Sequence, residues 1–112
     1  MMYYIERPHT WRPANKKCAE IQEFVDQYKN CLIKDELSRD ALIAEVRRKV
    51  AELNEAYPRT KPVKVDFSHG DWLSAKSDIY AEDYVFTIQF YPVRKTYQFA
   101  ESAAVLEEGG AQ

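Results

Sequence analysis

Two apolar stripes at helical spacing, separated by a short polar link, do most to limit what this chain can fold into. Cys18, Ile21, Val25, Tyr28 and Leu32 recur at alternating intervals of three and four. At about 100° per residue they share one helix face roughly 80° wide, with Phe24 and Cys31 at its margins. Ile43, Val46, Val50, Leu53 and Tyr57 repeat the pattern with Leu42 beside them, so residues 14–57 carry two buried faces. One unbroken helix there would run about 66 Å, longer than a compact domain of this size is wide. The expected break lies at 30–35, where Asn30 can take the left-handed conformation that ends a helix and Asp35 can cap the next. Leu32 and Ile33 would then plug the end of an antiparallel helical hairpin. The link has no Gly or Pro and the stripes stay nearly in phase, so a continuous helix serving a homodimer is the alternative.

The rest of the chain reads as sheet. Met2, Tyr3, Tyr4 and Ile5 are β-prone and suit an N-terminal edge strand. A connection punctuated by Pro8 and Pro13 follows, with Pro13 in the first turn of the helix, where proline is best tolerated. Pro58 ends the second helix. Val63, Val65 and Phe67 alternate with Lys64, Asp66 and Ser68 as in a half-buried strand, and 68–71 is turn chemistry. Residues 72–80 fit either a strand or a short helix with a loop. In 84–91, Tyr84, Phe86, Ile88 and Phe90 line one face and Val85, Thr87, Gln89 and Tyr91 the other, so one side faces the core and the other water. Pro92 marks a bulge, a turn or an edge, and alternation resumes over 93–99. The fold class expected is α+β, with a helical hairpin packed in two layers on a small antiparallel sheet of three to five strands. The sheet would span 63–99, with an edge strand at 2–5 and an Ala/Glu-rich tail at 101–112.

Composition narrows the function classes. A chain of 112 residues, 46% apolar and 30% charged, can build the core of one domain and does not have a disordered make-up. Its formal net charge of -2 gives no overall electrostatic footprint for nucleic acid or an anionic membrane. No segment approaches the apolar length of a membrane span. Cys18 and Cys31, on one helix, would be about 20 Å apart, too far for a disulfide. Two free thiols on the helix face suit a cytoplasmic protein.

No residue pattern points firmly to chemistry, and no cofactor is implied. Ser68, His69 and Asp71 are the residue types of a nucleophilic triad, but neighbours in an extended segment point in opposite directions, and a tight turn explains them. His69, Asp71, Asp78, Glu82 and Asp83 match no metal-ligand spacing. Glu45 precedes Lys49, and Arg48 precedes Glu52, by four residues, as on a solvated helix face. Two binding readings remain. Eight tyrosines and two tryptophans are more than a small core holds, and such side chains concentrate at the centres of protein interfaces. Tyr3, Tyr4, Trp11, Trp72, Tyr80, Val85 and Tyr91 are the candidate protein-binding residues. Arg59, Lys61, Lys64, Arg94 and Lys95, interleaved with tyrosines, form the alternative, a basic and aromatic patch for nucleic acid. The expected function is a small protein-interaction domain, of the kind found among the accessory, adaptor and inhibitor proteins of phages and other mobile elements.

Overall fold

A computed structural model of the chain describes residues 1–58, 62–68, 71–77 and 84–93. It is α+β. In chain order the elements are β1 (Met2–Ile5), β2 (His9–Thr10), α1 (Lys16–Asp26), β3 (Cys31–Ile33), α2 (Glu36–Ala56), β4 (Val63–Ser68), β5 (Trp72–Ser77), β6 (Tyr84–Gln89) and β7 (Tyr91–Val93). They form two antiparallel sheets where the sequence suggested one. The first has the order β3-β1-β7 and the second the order β2-β6-β5-β4.

The break in the helical stretch falls where the sequence placed it. Asn30 has φ 58, a left-handed conformation that its short polar side chain tolerates. Asp35 is the N-cap of α2, its carboxylate accepting from the Ser38 N–H at 2.8 Å. No continuous helix therefore runs over 14–57. The link itself differs from expectation. Leu32 and Ile33 do not plug a hairpin; they belong to β3, which pairs with β1 through Tyr4 and Tyr3. Cys31 accordingly sits on a strand, and both cysteines are free thiols. β1 is central in its sheet, with β3 on one side and β7 on the other, and is not an edge. Asn15, whose side chain accepts from the Cys18 N–H at 2.9 Å, caps α1, so Pro13 lies outside the helix. α1 also stops at Asp26, which leaves Tyr28 in the following turn, packed edge-on against Phe24 at 5.7 Å.

One core joins both helices to both sheets. Cys18, Ile21 and Val25 of α1 and Leu42, Ile43, Val46, Val50 and Leu53 of α2 are buried, as the stripes required. They meet Tyr3, Ile5 and Ile33 of the first sheet and Leu73, Ala75, Phe86 and Ile88 of the second. Burial of one such large side chain stabilises the fold by about 1.5–3 kcal/mol. Tyr57 closes α2 and is exposed, so the second stripe ends at Leu53. On the other side of the first sheet, Leu32 and Val93 make a small cluster with Met2 and Tyr4.

Two features of α2 account for its surface. Arg48 lies between Glu45 and Glu52, 2.6 Å from the latter, and Lys49 is 3.6 Å from Glu45 and over the Phe24 ring. Exposed pairs of this kind contribute little each. The polar groups of the β4 edge are met from the same helix. Asn54 both donates to the Val63 carbonyl at 2.9 Å and accepts from its N–H at 3.0 Å, while Arg47 donates to the Val65 carbonyl at 3.4 Å. Helix side chains thus occupy groups that a further strand would need.

The Asp35 cap carries a pH dependence whose sign is fixed. The Ser38 N–H holds the Asp35 carboxyl below the ordinary range, so the stability it contributes is present above the ordinary carboxylate value and is lost as pH falls through the depressed one. Asp35→Asn keeps the cap and removes the titration. Urea denaturation followed across the range below about pH 5 is expected to show a shallower acid loss for this variant than for the parent chain.

Candidate functional site

The two sheets meet where a two-stranded ribbon bends. β1 pairs with β7 as far as Tyr4 opposite Tyr91, and β2 pairs with β6 from His9 opposite Thr87. Between these registers lie four residues on one strand, 5–8, against three on the other, 88–90. An unequal count bends a ribbon as a β-bulge does, and here it carries both strands from one sheet into the next.

Main-chain groups at the bend find partners outside the ribbon. The Phe90 N–H donates to the Asp71 carbonyl at 2.7 Å, and the Asn30 N–H donates to the Glu6 carbonyl at 3.0 Å. Phe90 is fully buried and meets Tyr3 at 6.2 Å and Phe67 at 5.9 Å, both edge-to-face. The Arg39 guanidinium of α2 lies over the same two rings, 5.0 Å from Tyr3 and 5.1 Å from Phe67, and Nη1 donates to the Tyr3 hydroxyl at 2.9 Å. That hydroxyl donates in turn to Glu36 Oε2 at 3.3 Å. Burial pushes the Tyr3 hydroxyl above the ordinary tyrosine value, with Arg39 opposing and Glu36 adding to the shift.

On the outer side of the bend a cleft of about 410 Å³ opens. Trp72, at the start of β5, and Tyr91, at the start of β7, form its aromatic part, each 41% exposed. Arg7 and His9 come from the bend and Lys29 from the turn before β3. Gln89, Asn30 and Glu6 complete the lining. Asn30 is held from behind, its Oδ1 accepting from the Tyr4 hydroxyl at 2.9 Å. Among the described residues neither Arg7 nor Lys29 has a carboxylate within ion-pair distance. The cleft therefore offers two partly exposed rings beside unpaired cations.

The candidate residues named from the sequence fall in different places. Trp72 and Tyr91 come together in the cleft, and Tyr4 supports it from one layer below. Tyr3 and Val85 are corrections: both are buried in the core, at 6% and 5% exposure. Strand alternation put Val85 on the wet side of β6, but the strand is covered on both faces there, and the Val85 carbonyl accepts from Gln22 Nε2 at 2.9 Å. Trp11 is exposed but stands outside the cleft, its carbonyl accepting from the same Gln22 nitrogen at 2.6 Å. Tyr80 lies outside the described residues. So do Arg59, Lys61, Arg94 and Lys95 of the basic patch; Lys64 faces Lys76 across the β4–β5 pair. Arg7, His9, Lys29 and Gln89 were missed, because only the bend brings them to one place. The available signal was Pro8 flanked by basic residues, with left-handed Asn30 next to Lys29.

Among the described residues no three His, Cys, Asp or Glu side chains gather as metal ligands, and no helix is long and apolar enough to cross a membrane. No family model, curated protein or solved structure matches the chain.

Arg39 fixes the core side of the bend that shapes the cleft. A partly buried cation over two rings and its hydrogen bond to the Tyr3 hydroxyl are together worth about 2 kcal/mol, while the Arg39 pair with Asp40, whose carboxylate is exposed, adds little. Arg39→Met, which keeps an unbranched apolar stem and removes the guanidinium, is expected to lower stability by about that amount in urea denaturation, and Arg39→Lys by less.

Proposed function

We propose that this chain is a small protein-interaction domain that binds a partner polypeptide at the cleft between its two sheets. The observation that carries this reading is the joint exposure of Trp72 and Tyr91 on a pre-formed concave surface. Both belong to the residue types that dominate binding energy when a partner excludes water from them. The cleft is the size of a pocket for one or two side chains of a partner, with polar rim groups to fix their orientation. A role as adaptor, inhibitor or other accessory protein, of a phage or other mobile element, fits a domain of this size, and the two free thiols suit a cytoplasmic setting. No catalytic step is proposed.

One observation favours a second reading. Exposed rings beside unpaired Arg7 and Lys29 are also what single-stranded nucleic acid needs for stacking and phosphate contact. The two readings separate on salt, since phosphate contacts weaken steeply with ionic strength.

The test is capture from a lysate of the source organism, with and without nuclease, using the tagged chain and its Trp72→Ser, Tyr91→Ser double variant. A stoichiometric protein that survives nuclease, and falls by about tenfold or more with the double variant, is the expected result. Material lost on nuclease treatment would move the assignment to nucleic acid.

A further inference from the structure

Resting on the protein-interaction reading, we infer that the occupant of the cleft is an extended acidic segment of the partner. It would place carboxylates against Arg7 and Lys29 and an apolar side chain between Trp72 and Tyr91. Its polar groups would also reach the Gln89 main chain, which makes no main-chain hydrogen bond to Arg7 across the bend.

Charge gives the first argument. Arg7 and Lys29 have no carboxylate within ion-pair distance among the described residues, and both line the cleft. Among the described residues Glu6 is the one acidic side chain in the lining, and its main-chain carbonyl is engaged by the Asn30 N–H. The cleft is thus cationic on a chain whose formal net charge is -2. A basic segment would be repelled locally, and an acidic one drawn to the cleft.

Strand geometry gives the second. The Val85 carbonyl points toward the β2 side of β6, where it accepts from the Trp11 N–H at 3.4 Å. Main-chain groups alternate in direction along a strand, so those of Thr87 and Gln89 point the same way, while the Phe90 N–H points oppositely, to Asp71. Thr87 is met by His9, but β2 ends there, and no main-chain hydrogen bond joins Gln89 to Arg7. The short β2 leaves the last residue of β6 open toward the cleft. A partner segment entering the cleft can hydrogen-bond at that one residue, beside Trp72, which is directly opposite Gln89 on β5. Elsewhere the β4 edge is engaged by Asn54 and Arg47 of α2, which disfavours pairing at that side of the sheet.

The experiment selects binders from a library of random peptides against the immobilised chain and maps them by NMR on the labelled protein, with oligothymidylate titrated in parallel. The variants are Arg7→Glu with Lys29→Glu, both exposed positions, checked for an unchanged melting temperature. Net-acidic peptides with one aliphatic or aromatic residue should be enriched. They should shift the amides of Gln89 and Asn30, and lose about tenfold in affinity to the double charge reversal. Enrichment of neutral or basic peptides at the same amides would overturn the acidic assignment while leaving the protein-interaction reading standing. Failure of any peptide to be enriched, with oligothymidylate shifting the Trp72 and Tyr91 signals, would overturn both.

Discussion

The bend in the paired ribbon β1–β2 and β6–β7 is the constraint on which the rest depends. Each strand of the ribbon serves two sheets, and four residues must be accommodated opposite three. Main-chain groups released at such a corner need partners, because an unpaired buried N–H or carbonyl costs about as much as a lost hydrogen bond. The loops before β3 and β5 supply them, through Asn30 to Glu6 and Phe90 to Asp71. Beneath the corner, Phe90 fills the space between Tyr3 and Phe67, and Arg39 closes the cluster from α2. One side of the bend is therefore filled by packed rings and the Arg39 guanidinium.

The other side is the cleft, and the same contacts shape both. Asn30 donates to Glu6 from a left-handed turn, and that turn sets Lys29 beside the bend. The Asp71 carbonyl fixes Phe90, and the residues next to each, Trp72 and Tyr91, are left at the rim. Pre-organised surfaces lose less entropy on binding than flexible ones. Two exposed rings on a rigid bend are consequently better placed to bind at the cleft than Trp11, which does not line it.

Much of the fold was legible because it follows from local rules. The stripes located the buried residues of both helices, and Asn30 and Asp35 located the break, since left-handed backbone and helix capping each favour few side chains. Alternation located β4 and β6. Sheet partnership was not legible: Leu32 and Ile33 continue a helical stripe in sequence, yet pair with β1 because the chain returns alongside it. Nor could alternation reveal that Val85 is covered on both sides of its strand, or that β1 would receive a neighbour on each edge. For the site, aromatic type singled out Trp72 and Tyr91 but could not exclude Tyr3, whose hydroxyl finds its partners in Arg39 and Glu36 inside the fold. The cations of the cleft lie on two separate segments, and only tertiary structure assembles them.

Native-state hydrogen exchange at two amides tests most directly whether the bend is fixed and the cleft pre-formed. The N–H groups of Phe90 and Asn30 are the donors that hold it. Protection of both within about tenfold of the central β6 amides is expected, because opening them requires the core around Phe90 to open. Exchange of either at the rate of an unprotected loop amide would contradict this. The bend would then be a loose junction between two sheets, and Trp72 and Tyr91 would share no standing surface.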